Sequence, residues 1–141
     1  MAFSVAVDNQ GNVVAAGFTE NTGTGPDFTV AKFDRNGALL WQQNLNGTAN
    51  GFDEALSVAV DNQGDVVAAG FTENTGHSRD FTVAKFDRDG TLLWQQNLNG
   101  TANGVDEALS VAVDNQGNVV AAGFTENTGT SFDFTVAKFD R

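Results

Sequence analysis

The chain has 141 residues, 40% of them apolar, with 12 Phe and no Cys, which is enough for one domain with a core and argues against disorder. Its formal charge is −11, with 7 Lys and Arg against 18 Asp and Glu, so nucleic acid and anionic membrane surfaces are excluded as expected partners. The missing cysteine removes disulfides, thiolate metal sites and thiol nucleophiles from consideration.

The opening MAFSVAVDNQG has neither the basic segment nor the apolar run of a signal peptide, and no stretch approaches the ~18 apolar residues of a membrane span. A soluble chain is expected. A repeat governs the rest: residues 4–56 match residues 57–109 at 46 of 53 positions, and residues 110–141 begin the unit a third time.

In each copy the first segment, SVAVD, sets Val5 and Val7 against Ser4, Ala6 and Asp8, the two-residue period of a strand. NQGN then reads as a tight turn. The second segment, NVVAAGFTE, is apolar on both faces, and its small Ala15, Ala16 and Gly17 let neighbouring sheets come close, as in a strand covered from two sides. DFTVAKFD sets Phe28 and Val30 against Thr29, Ala31 and Phe33, and ends in the DRNG turn. ALLWQQNLN carries its apolar residues first and amides later, like a less buried outer strand, and GTANGFDEA is a long polar connector into the next copy. No segment has helical periodicity.

Four short strands per unit in an antiparallel meander, covered on both faces, predict an all-β fold of β-propeller blades. A β-solenoid is the rival, disfavoured because solenoid coils run to roughly 20–30 residues and lack two tight hairpins each. The order NGTANGFDEALSVAVDNQGNVVAAGFTEN followed by DFTVAKFDRNGALLW resembles the bacterial SBBP-type β-propeller repeat over the whole chain. The resemblance implies the same fold with SVAVD innermost, a bacterial origin and an extracytoplasmic setting, and it brings no catalytic residues.

Blade 1 is then residues 1–56, blade 2 is 57–109 and blade 3 is 110–141, the last lacking its outer strand. Three blades do not close a ring, so their end faces would leave apolar surface in water. The expectation is self-association, with a homodimer giving a six-bladed ring and a trimer giving nine blades as the less favoured outcome. The alternative is a fragment of a larger or engineered propeller with no ligand of its own.

Alternating strands put the first and third turns of a blade on one rim, and the second loop and the connector on the other. Asn12/Asp65, Asn36/Asp89 and Ala38/Thr91 vary at the turn rim. Thr24, Gly25 and Pro26 become His77, Ser78 and Arg79, then Thr130, Ser131 and Phe132, while Phe52 becomes Val105, all at the loop rim. These residues are the candidate ligand-binding set, because loops on a rigid frame are where binding resides, and an acidic, aromatic rim suits a glycan, a peptide or a protein surface. Neutral drift of loop tips is the competing explanation. Asp53, Glu54, Asp106 and Glu107, with Asn50 and Asn103, could instead form one pocket per blade, although connector residues of this kind more commonly satisfy backbone groups. Asp27, Asp80 and Asp133 read as hydrogen-bond anchors between loop and strand.

Chemistry is sparse. DNQGN and DRDGT lack calcium-loop spacing and sit where hairpins need Asn, Asp and Gly, and a single histidine without cysteine cannot furnish a zinc site. No metal, cofactor or catalytic residue is expected, and a glycan-active hydrolase with paired carboxylates is the remote alternative. Lys32, Lys85 and Lys138 lie within apolar strands, and each is expected to pair with a carboxylate such as Glu20, Glu73 or Glu126 or to reach water along its stem.

Overall fold

The computed structural model describes residues 1–141. Its strands are β1 (Ala2–Val7), β2 (Val13–Asn21), β3 (Gly25–Phe33), β4 (Leu39–Leu45), β5 (Glu54–Val60), β6 (Val66–Glu73), β7 (Arg79–Phe86), β8 (Leu92–Leu98), β9 (Glu107–Val113), β10 (Val119–Glu126) and β11 (Phe132–Phe139). They form three separate antiparallel meanders in chain order, β1–β4, β5–β8 and β9–β11. Separate meanders replace the shared parallel sheets of a solenoid, and their face-to-face stacking is propeller-like.

The two-sided composition of the second strand explains the stacking. Val66 and Ala68 of β6 join Val14, Ala16, Phe28 and Val30 of blade 1 in one core. Val67 and Ala69, pointing the other way, join Val111, Val119 and Ala121 of blade 3 in a second. The outer strands β4 and β8 are largely exposed, as their amides suggest. Their tryptophans lean onto the next blade, Trp41 to 6.0 Å from Phe86 and Trp94 to 5.5 Å from Phe139 between ring centres. The Trp41 indole N–H donates to the Arg88 carbonyl at 3.0 Å.

The inner strand starts earlier than its alternation suggests. Glu54, Ala55 and Leu56 belong to β5, with a bulge between Ala55 and Ser57 that interrupts the period. Opposite the bulge a Cβ on Gly70 would stand 1.8 Å from the Glu54 carbonyl oxygen, so glycine is the residue that lets the two backbones meet.

Each strand lysine pairs with a carboxylate as expected, but with an aspartate of the first hairpin turn rather than with Glu20, Glu73 or Glu126. Lys32 meets Asp8 at 3.0 Å and Lys85 meets Asp61 at 3.1 Å, both largely out of water, while the exposed Lys138 stands 3.8 Å from Asp114. Register is the reason: Lys32 lies across from Val14, and Glu20 is six residues further along β2, roughly 20 Å away at the other rim.

The same aspartates hold the first hairpin turns. Asp8 Oδ1 accepts from the Gln10 and Asn12 amides, each at 2.9 Å, and Oδ2 accepts from Asn12 Nδ2. Burial pushes the Asp8 carboxyl up, but the Asn12, Lys32 and Gln10 hydrogen bonds outweigh it and hold the group at about 2 against an ordinary 3.8. The folded value is depressed, so Asp8 stabilises fully above its unfolded value, and that contribution is lost as pH falls through about 2. Acid titration of unfolding is expected to show a loss on the order of 2 kcal/mol from this group below pH ~4, absent in Asp8→Asn.

Both end blades leave one face bare. Phe28 and Phe81 are fully buried between blades, whereas Phe134, the same position in blade 3, is 88% exposed. On blade 1, Val5 and Val7 stand in water beside a shallow hollow of about 280 Å³ lined by Ala15, Ala31 and Phe33.

Candidate functional site

The two rims separate as the strand directions require. At the loop rim the connector crosses to the second loop of the preceding blade, where the Asp53 amide donates to the Pro26 carbonyl and the Asp106 amide to the Arg79 carbonyl, both at 2.8 Å. Arg79 also forms a parallel bridge with Val105. Each junction therefore gathers candidate residues from a second loop and from the connector that follows it: Gly25, Pro26 and Phe52 at the first, Ser78, Arg79 and Val105 at the second. Thr130, Ser131 and Phe132 stand on blade 3, where no connector crosses to them.

The loop is shorter than its variability suggests. β3 starts at Gly25, β7 at Arg79 and β11 at Phe132, so Pro26, Arg79 and Phe132 are strand residues paired with Glu20, Glu73 and Glu126. The three variable positions also carry different constraints. The first always serves the strand-leading aspartate: Thr24 Oγ1 donates to Asp27 at 3.0 Å, His77 Nδ1 lies 3.2 Å from both Asp80 oxygens, and Thr130 Oγ1 donates to Asp133 at 2.7 Å. Asn21, Asn74 and Asn127 donate to the same carboxylates, which are thus the anchors the sequence suggests. In blade 1 the threonine reaches one oxygen, and Asp27 Oδ1 is left buried without a partner.

The middle position has little to hold. Ser78 and Ser131 are exposed, and Gly25 has a φ of 79° with its Cβ direction toward the Gly51 carbonyl at 3.1 Å. The third position can reach the phenylalanine of the second strand. The Arg79 guanidinium carbon stands 4.3 Å from the centre of the Phe71 ring, and Phe132 meets Phe124 edge-on at 4.8 Å.

Phe18, Phe71 and Phe124 did not stand out in the sequence as rim residues, because GFTE reads as the end of a buried strand. Phe18 and Phe124 are in fact partly exposed, and Phe71 is buried beneath Arg79. Phe3, Phe18, Phe52 and Phe71 follow one another at centre-to-centre distances of 6.0, 5.5 and 6.2 Å, an aromatic line crossing the first junction. Phe52, in the connector, links the two blades.

The carboxylates divide by role. Asp53 and Asp106 are fully buried and bind backbone: Asp53 accepts from the Gly47 amide at 2.7 Å and the Glu73 amide at 2.6 Å, and Asp106 repeats this with Gly100 and Glu126. Burial pushes the Asp53 carboxyl up, and the Gly47 and Glu73 hydrogen bonds offset this only in part. Asn50 and Asn103 take a positive φ of 52° in the connector turn and accept from Asn46 and Asn99. These residues build the connector. Glu107 instead receives a hydrogen bond from Arg79 Nη1, and Glu73 lies 3.9 Å from Arg79 Nε. Glu54, at the corresponding place on blade 2, has no ion pair. Its carboxyl is pushed up chiefly by burial, pulled down by Arg79, pushed up by Glu107 and pulled down by the N-terminal ammonium, with a net rise.

At the turn rim a polar cleft of about 90 Å³ lies between blades 1 and 2, among Asp8, Lys32, Gln63 and Arg88. Its carboxylate is already committed to the hairpin amides and to Lys32. The chemistry that varies from blade to blade is concentrated at the loop rim, where aromatic rings and carboxylates share each junction and the Arg79 guanidinium joins them at the second.

No family model matches the chain. Among curated proteins it is similar to an uncharacterized WD repeat-containing protein of Acanthamoeba polyphaga mimivirus, 28% identical over 115 residues. That match covers 67% of this chain and 8% of the relative, so the chain spans under a tenth of that protein's length. Among solved structures, a protein of unknown function from Bacteroides caccae aligns over 99% of this chain and 46% of its own, at 12% identity and a TM-score of 0.46. A fucose lectin from Kordia zhangzhouensis, in complex with methyl-fucoside, aligns over 94% of this chain and 96% of its own, at 11% identity and a TM-score of 0.46.

Proposed function

We propose that the chain is a non-catalytic β-propeller scaffold and binding module, whose end blades are covered by further blades of the same repeat and whose loop rim is the ligand face. For the 141-residue chain the covering blades come from a second copy, giving a six-bladed homodimeric ring. One observation carries the reading: the bare face of blade 3 is the knob and the bare face of blade 1 the hollow of a contact already made twice. Phe28 and Phe81 are fully buried against blades 2 and 3, and Phe81 packs in a cluster with Ala121, Ala137 and Phe139. The matching residues of blade 1, Ala15, Ala31 and Phe33, line the hollow that the exposed Phe134 of another copy would enter. The hydrogen bonds at this contact have an equivalent as well. The Val58 amide donates to Ser4 Oγ at 3.2 Å and the Val111 amide to Ser57 Oγ at 3.1 Å, which leaves Ser110 Oγ for Val5 of a following copy.

Likeness to a WD repeat-containing protein supports the propeller reading. The length of that relative favours a second reading, in which the chain is part of a longer propeller and the same faces are covered by neighbouring blades in one polypeptide. Light scattering tests the assembly. The expected mass is twice the 14.8 kDa of one chain, falling to 14.8 kDa in Phe134→Ser with an unchanged β-sheet circular dichroism spectrum. A stable 14.8 kDa wild type, or an oligomer indifferent to Phe134→Ser, would overturn it.

A further inference from the structure

We propose that the loop rim between blades 1 and 2 is a seat for a guanidinium group and takes an arginine side chain from a peptide or protein partner. The inference rests on the loop rim being the ligand face and names the chemistry that face recognises.

The repeat already builds such a seat once. At the junction of blades 2 and 3 such a seat is filled from within the chain: the Arg79 guanidinium lies over Phe71, with Nη1 donating to Glu107 and Nε facing Glu73. One repeat earlier the corresponding residues are Phe18, Glu54 and Glu20, and the place of Arg79 is taken by Pro26, which has neither charge nor side-chain donor. The aromatic floor and both carboxylates are therefore present without a cation paired to them: the Met1 ammonium nearby donates to the Phe18 carbonyl at 2.7 Å, and the Arg79 guanidinium, 6.0 Å from the Phe52 ring, is engaged with Glu107. Glu54 has no ion pair, and burial pushes its carboxyl up despite the pull of Arg79 and of the N-terminal ammonium.

The seat is open. Phe18, Phe52 and Glu54 each keep part of their surface in water, and Glu20 is exposed. Phe52 stands where the other junction has Val105, 5.5 Å from Phe18, and adds a second ring. Two rings and two carboxylates suit a guanidinium, which is planar, weakly hydrated, stacks on aromatic faces and pairs with carboxylates through a fork of donors. The charge of −11 draws a basic partner toward the rim. Blade 3 has no vacant counterpart, because Phe132 takes the third position there and packs on Phe124.

The test is NMR titration of the 141-residue chain with N-acetyl-arginine methylamide, using N-acetyl-citrulline methylamide as the neutral probe of the same shape. The arginine probe is expected to shift the Phe18, Phe52 and Glu54 resonances, with the citrulline probe binding about tenfold more weakly or less. Pro26→Arg, which places at the first junction the residue the second already carries, is expected to abolish those shifts. Arg79→Ala is expected to add a second set at Phe71 and Glu107. No shift at Phe18, Phe52 and Glu54, equal response to citrulline, or full binding by Pro26→Arg sinks the proposal. None of these variants touches the bare end faces, so a missing seat and a missing assembly are read separately, by titration and by mass.

Discussion

Phe81→Ala is expected to lower the unfolding free energy by about 3–5 kcal/mol in urea, while Phe134→Ala lowers it by less than about 1 kcal/mol at concentrations where the chain is monomeric. The two residues occupy the same position of the repeat and differ in what covers them. Phe81 has no exposed surface and packs with Val67, Val83, Val111 and Val119, so truncation removes its transfer free energy and leaves a cavity that neighbouring strands cannot close. Phe134 is 88% exposed, and its ring has little packing to lose. Equal losses at the two positions would show that blade 3 is already covered in the monomer.

Asp53→Ala is the second large effect, about 3 kcal/mol or more. Two backbone amides, those of buried Gly47 and half-buried Glu73, would lose their acceptor, and an unmet buried donor costs about 1–3 kcal/mol. Asp53→Asn keeps one acceptor oxygen and is expected to fall between wild type and alanine. Glu54→Ala, one residue on, removes a carboxylate without an ion pair and is expected to stay within about 0.5 kcal/mol of wild type. Chemical denaturation of the three variants checks the order. It separates a carboxylate that builds the connector from one left facing the rim.

Much of the architecture was legible because the physics that sets it is local. Strand alternation, turn residues and the doubly apolar NVVAAG segment each point to a sheet covered on both sides, and β6 sends alternate residues into the two cores accordingly. The misreadings share a cause, which is that spacing along the chain does not report register. The bulge at Ala55 shifts the inner strand's alternation, so Glu54 and Ala55 look like connector. Lys32 looked close to Glu20, yet the β2–β3 register sends its ammonium to the other rim and Asp8.

At the candidate site the variable triplet was visible as variation, but its internal logic was not. Thr24, His77 and Thr130 differ as letters and act alike, each a hydrogen-bond partner for an aspartate three residues on. Arg79 and Phe132 have no chemistry in common except an ability to cover an aromatic ring, which shows only once Phe71 and Phe124 are placed beneath them.

Near identity of the copies has a consequence for how the molecule reaches its native state. A strand whose sequence recurs 53 residues later fits the neighbouring meander almost as well as its own, since the two units agree at 46 of 53 positions. Energies of correct and exchanged pairings are then nearly degenerate, and loop closure becomes the main force favouring the nearer choice. Refolding from denaturant should partition between the native arrangement and swapped species in which a segment of one copy completes another, in proportions set by protein concentration.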